Sequence, residues 1–230
     1  MTFRQRLAKG FSINGAYTFS KSIDEISDDI FSATAVALVD SNNRLLDRGA
    51  SGFNAPHVFV VSYLWDLPGT SSYGWFGKQV INGWQLSGIT RFDSGNPITV
   101  SAGSDTNLDG NANDRADLVG DPKLSGGRSR DEWLMRYFNT DAFAKPAAGT
   151  PGTAGRSIIY GPGSATWNIS AFKNFELREN HRLQFRSEFF SAFNHPNFSN
   201  PNSALNNKNF GRILGAGGAR VVQFALKYSF

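Results

Sequence analysis

Apolar and polar side chains alternate along much of this chain with the two-residue period of an extended strand, in which successive side chains point to opposite faces. The closing stretch, Arg220 to Phe230, sets Val222, Phe224, Leu226, Tyr228 and Phe230 against Val221, Gln223, Ala225, Lys227 and Ser229. Near the start, Phe11, Ile13, Gly15, Tyr17 and Phe19 oppose Ser12, Asn14, Ala16, Thr18 and Ser20. The same criterion predicts strands over Thr2 to Leu7, His57 to Leu67, Gly83 to Phe92 with a continuation through Pro97 to Val100, Ala165 to Phe175 and Arg182 to Phe193. No segment has the period of an amphipathic helix, although Ile30 to Val39 and Asp131 to Phe138 suit helical turns inside loops.

The connectors alternate between short and long. Lys9-Gly10 and Glu176 to Asn180 are tight, Pro68 to Asn82 is intermediate, and Lys21 to Pro56, Ser101 to Ser164 and Asn194 to Ala219 are long. Counted back from the final strand, every long connector falls at one end of the strands and every shorter one at the other. That parity is the habit of outer-membrane barrels, which have short periplasmic turns and longer extracellular loops. A soluble sandwich has no reason to keep it, although the aromatic stripes taken alone would also fit a soluble all-β core.

Charge placement says which face meets which solvent. In the sixth strand Leu183, Phe185, Ser187, Phe189 and Ser191 carry no charge, whereas Arg182, Gln184, Arg186 and Glu188 lie opposite. A charge at mid-bilayer on the lipid side costs ~2–4 kcal/mol, so the first set is expected outward and the second in the lumen, with Arg186 and Glu188 as neighbours. The fifth strand fits less well, because Lys173 shares a face with Trp167, Ile169, Ala171 and Phe175. Its place near a tight turn would let the ammonium snorkel to the interface. Trp65, Trp84, Trp167, Tyr17 and Tyr228 sit near strand ends, where aromatic girdles meet headgroups.

Composition narrows the choice. The mean hydropathy of -0.32 and the absence of any long apolar run leave no room for a spanning helix, which needs ~20 apolar residues. The 20 Phe and 24 Gly suit barrel walls. With no Cys there is neither a disulfide framework nor a thiolate site. The net charge of +4 comes from scattered basic residues, so no nucleic acid partner is expected. Residues 1 to 20 have no signal-peptide pattern. Seven strands are odd in number, and an open sheet would leave unpaired edges in hydrocarbon, so the sequence reads as part of a larger barrel.

Several blocks carry a family likeness. Gly83 to Gly88, Ser94 to Pro97, Gly161 to Gly163, Trp167 to Ser170, Phe172 to Phe175, Arg182 to Phe190, Phe193 to Phe198 and Phe210 to Ile213 resemble the end of TonB-dependent outer-membrane receptors. The subgroup most similar is the Oar-like one, whose members carry an amino-terminal carboxypeptidase-regulatory-like domain. Gln223, Ala225, Tyr228 and the terminal Phe230 resemble the β-signal read by the barrel-assembly machinery. The resemblance implies an all-β fold: a partial transmembrane antiparallel β-barrel in the outer membrane, with long extracellular loops. Residues 1–230 would be about seven carboxy-terminal strands of a barrel of about 22. The plug domain and signal peptide are expected to be absent from this chain. The implied parent imports a scarce ligand of unidentified chemistry; its partners are outer-membrane lipid, the assembly machinery and, only through the missing amino-terminal region, TonB. A competing reading is a self-contained surface β-domain for adhesion or ligand binding.

Site chemistry is sparse. Asp105, Asn107, Asp109 and Asn111, with Gly110, have the D-x-N-x-D-G spacing of a calcium loop, in which alternate oxygens converge on a hard cation. Position twelve is Ala116 instead of the bidentate Glu, and a polar, turn-rich loop needs no ion, so both readings stand. Asp24, Glu25, Asp28 and Asp29 form an acidic group that a solvated loop face explains. His57, His181 and His195 lie far apart at strand ends, which argues against a transition-metal site. Without a nucleophile elbow, P-loop or dinucleotide fingerprint, no catalytic residue and no enzymatic activity are expected.

Overall fold

A computed structural model describes residues 1–7, 10–27, 38–40, 42–70, 72, 74–178 and 181–230. Part of the acidic group (Asp28 and Asp29), the suggested helical turn from Ile30, and Lys9 and Asn180 of the tight turns lie outside the described residues.

Seven strands make one antiparallel sheet in chain order. They are β1 (Thr2–Leu7), β2 (Phe11–Phe19), β3 (His57–Asp66), β4 (Trp84–Asp93), β5 (Ser164–Arg178), β6 (His181–Phe190) and β7 (Val221–Ser229). Each pairs with its sequence neighbours, so every connection is a hairpin and the sheet is a meander. The sheet is not closed, and β1 and β7 each present one edge without a partner among the described residues.

Register fixes the two faces. The pairs Phe59↔Phe92 and Trp65↔Leu86, then Ile169↔Phe189, then Phe189↔Val222 and Phe185↔Leu226, carry one apolar set across the wall. Among the described side chains of this set Lys173 is the one residue that is always charged. The opposite set holds Asp66, Arg91, Asp93, Glu176, Arg182, Arg186, Glu188 and Lys227. A shift of one residue in any strand would exchange its faces, so this segregation across the wall tests the register.

The fourth strand ends earlier than its alternation suggests. Pro97–Ile98 pairs instead with Ile159–Tyr160 in a separate ribbon. The break lies at Ser94 to Asn96, where a Cβ on Gly95 would stand 1.7 Å from the carbonyl oxygen of Gly161. Only glycine allows that approach, and it turns the chain out of the wall.

Beyond the wall, the long connectors fold together. Ile98, Val100, Ala116, Phe138, Ala142, Phe143, Ala154 and Ile159 form the buried hydrophobic cluster, with Leu205 and Phe210 of the last long connector packed against it. Phe138, Phe143 and Phe210 meet edge to face, with centroids 5.2–6.1 Å apart. The helical turn expected after Asp131 is helix α2 (Arg130–Met135); the numbering follows helix α1 (Trp75–Ile81), which lies between β3 and β4. Ser129 caps α2, accepting from the Glu132 N–H at 3.3 Å, while the Glu132 carboxylate accepts from the Ser129 N–H at 2.8 Å. These reciprocal bonds form a capping box and hold the Glu132 carboxyl below its ordinary value.

Candidate functional site

Two regions have the organisation of functional surfaces: the apolar face of the wall and the cap over its long-loop end.

On the apolar face, rings gather into two belts. At the long-loop end Phe59 stacks on Phe92 at 6.3 Å, Phe92 meets Trp167 edge-on at 5.4 Å, and Trp167 meets Phe193 at 5.4 Å and His195 at 5.7 Å. Tyr17 joins them, its hydroxyl 2.7 Å from His57 Nδ1. At the short-turn end Phe11 meets Trp65 at 6.5 Å, and Tyr228 stacks on His181 with its hydroxyl 2.6 Å from Nδ1. From Phe59 to Trp65 along β3, and from Trp167 to Phe175 along β5, the belts are about 20–26 Å apart at ~3.3 Å per residue. A barrel's apolar band is ~25 Å tall. Phe224 and Leu226 between the belts are 65% and 67% exposed, in keeping with an apolar band that meets an apolar solvent.

Lys173 stays on this face without placing its charge in the band. Its ammonium donates to the carbonyl oxygen of Asn82 at the short-turn rim and lies 5.7 Å from the Trp84 ring centroid and 5.0 Å from that of Phe175. The opposite face is a polar network: Arg186 pairs with Glu188 at 3.0 Å and covers the Phe172 ring at 5.0 Å, and Gln184 donates to Asn174 at 2.9 Å.

The chain matches the outer membrane beta barrel domain over residues 1–223. It belongs to that family. No curated protein and no solved structure matches it. The chain is therefore an outer-membrane protein, its ringed face is the lipid face, and the long loops are the extracellular ones.

The extracellular cap of this barrel domain is clasped by ion pairs between distant loops. Arg156 donates to Asp24 at 2.6 Å, and Arg115 pairs with Asp47 with both side chains buried. Burial opposes ionisation of Asp24, but hydrogen bonds from Ser51, Arg156 and Ser27 and the Arg156 charge outweigh it, leaving its carboxyl below the ordinary value. Burial lowers the Arg115 pKa against the opposing pull of Asp47. The acidic group is thus committed rather than solvated where it is described: Asp24 to Arg156 and Glu25 to Arg44, at 2.9 Å. Between these loops lies a cavity of about 590 Å³ lined by Glu25, Val39, Asp47, Thr99, Arg115 and Arg156 among others.

The calcium-like spacing produces a self-contained turn. Asp105 accepts from the N–H groups of Leu108, Asp109 and Gly110 at 2.7–3.2 Å. Asn107 accepts from Asp109 N–H, and Asp109 from Asn111 N–H. Gly110 takes a φ of 93°, the conformation that favours glycine. Asp114 is fully buried and accepts from the Thr106 and Asn107 N–H groups. Among the described residues no three His, Cys, Asp or Glu side chains are grouped to hold a metal ion. The three histidines contact Tyr17, Tyr228 and Trp167, one to each.

Of the residues whose spacing resembles an assembly signal, Tyr228 is on the lipid face and Gln223 and Ala225 on the lumenal face of β7. Sequence reasoning missed the cap's clasp, because Asp24 and Arg156 are 132 positions apart and no local pattern links them.

Proposed function

We propose that this chain is the carboxy-terminal wall and extracellular cap of a TonB-dependent receptor of the Oar-like kind, a barrel that imports a scarce ligand across the outer membrane. The observation that carries this reading is a wall with separate lipid and lumenal faces that remains open at both edges. Strand edges cannot face hydrocarbon unpaired, so in this reading further strands complete the cylinder, and a parent of about 22 strands would carry a plug in its lumen. The resemblance of the blocks from Gly83 to Ile213 supports the same parentage. In this reading Gln223, Ala225, Tyr228 and Phe230 present the final strand to the barrel-assembly machinery, TonB engages the plug region alone, and the chain performs no catalysis. The test is growth on ferric siderophores, oligosaccharides, cobalamins or peptides supplied as the scarce nutrient. Cells with the complete gene should use one of them only while TonB is present. Uptake that persists without TonB would remove the proposal.

A second reading is a ligand-binding or adhesive surface β-domain in which calcium orders the Asp105 loop. The D-x-N-x-D-G spacing of Asp105, Asn107 and Asp109, with Gly110 in the left-handed region, favours it, whereas the oxygens themselves accept from backbone N–H groups. Titration of the refolded protein with millimolar Ca²⁺ that releases no heat would dismiss the calcium component.

A further inference from the structure

We propose that helix α1 is an interfacial foot that docks inner-leaflet phospholipid, with acyl chains against Phe76, Val80 and Ile81 and the phosphate beside Lys78. This goes beyond any transport role, since it needs only the lipid face and the direction of the wall. The helix spans seven residues, too short to persist in water on its own propensity. Phe76 is 74% exposed, Val80 53% and Ile81 39%. Phe76 and Val80, four residues apart, share one helical face. Among the described residues nothing in the chain's own core covers them.

The foot is held firmly, and on the lipid side. Trp84, a member of the outward set, donates its indole N–H to the Val80 carbonyl at 2.8 Å. Gln79 donates to the Glu176 carbonyl at 3.3 Å. Asn82 clasps Thr70 through two hydrogen bonds of 2.8 and 3.0 Å. Gly83, at a φ of 76°, passes so close to β5 that a Cβ would stand 2.5 Å from the Asn174 carbonyl oxygen. The helix is thereby continuous with the lower aromatic belt and the shelf of Trp84, Phe175 and Lys173.

Charge favours a phospholipid as the occupant. Lys78 is exposed and makes no ion pair among the described residues. A helix with apolar residues on one side and a cation beside them lies in the headgroup plane and gains from anionic lipid.

The experiment uses the unsubstituted full-length protein in vesicles of phosphatidylethanolamine and phosphatidylglycerol doped with a phospholipid carrying a photoreactive acyl chain. Adducts are mapped by mass spectrometry, with the lipid-facing residues of β6 and β7 as the internal standard. Adducts on Phe76 or Val80 at a frequency within about threefold of Phe224 and Leu226 are expected. Adducts on β7 with none on residues 74–82 would overturn the proposal while leaving the membrane wall intact. In a second arm, single nitroxide labels at positions 76, 78 and 80 report collision with oxygen and with a nickel chelate. The oxygen-to-nickel ratio should be several-fold higher at 76 and 80 than at 78. Equal ratios, or low collision with both agents as in a protein-covered or self-associated interface, would overturn it.

Discussion

At the scale of single residues, the wall contains one close fit that makes a sharp prediction. Gly88 on β4 lies beneath Tyr63 of β3, and a Cβ there would meet the Tyr63 hydroxyl at 2.4 Å, its Cζ at 2.5 Å and the Asn168 carbonyl oxygen at 2.8 Å. The ring occupies the space a side chain would need, so Gly88→Val forces Tyr63 away and strains the β4–β5 pairing. A loss of about 1–3 kcal/mol follows from overpacking of this kind, measured as a lower urea midpoint for unfolding in detergent. Asp24 gives the pH dependence. Its carboxyl is held below its ordinary value, so its contribution is complete above the unfolded pKa of ~3.9. It is lost as pH falls through the lower folded value. Limited proteolysis of the first long loop should therefore be constant from pH 7 to 5 and accelerate below about pH 4. Asp24→Asn should raise proteolysis at neutral pH and flatten that acid response.

At the scale of elements, the lipid-facing and lumenal positions of β6 and β7 should differ in what they tolerate. Phe185 and Phe224 stack across the two strands at 6.0 Å. Phe185→Lys places a charge in the apolar band and should cost about 2–4 kcal/mol. Gln184→Lys, one position along and in the lumen, should cost under ~1 kcal/mol. Heat-modifiable mobility on gels and unfolding in urea would both report the difference. Alternation made these strands legible: each predicted wall segment corresponds to a strand, shifted by at most three residues at either end, except that the continuation from Pro97 to Val100 leaves the wall after Asp93. Helix α1 was not legible, because seven residues give under two turns of period and its apolar side chains meet no core. The cap core was hidden for a related reason. Val100, Ala116, Phe138 and Ile159 are buried by loop-to-loop packing and not by any repeating pattern, so the sequence there reads as a polar excursion. The D-x-N-x-D-G spacing was visible, yet its carboxylates turn toward backbone N–H groups, which spacing alone does not reveal.

At the scale of the whole molecule, an outer-membrane wall and a packed extracellular cap are joined in one chain. The last strand is where assembly should be most sensitive. If Phe230 and its neighbours in β7 carry the assembly signal, deletion of Phe230 should leave the protein unassembled and degraded in the periplasm. In that variant the heat-modifiable form should fall by tenfold or more, whereas Phe193→Ser, at the opposite rim, should leave it within about twofold. The central claim is that alternate side chains of one wall meet lipid and lumen. The chain contains no Cys, so single cysteines can be placed at 183 to 189 without background. The decisive measurement is their reaction with a water-soluble maleimide in isolated, permeabilised outer membranes. Residues 184, 186 and 188 should react, and 183, 185 and 189 should be protected until detergent is added. Reaction with no two-residue period, or with the reverse phase, would contradict the account.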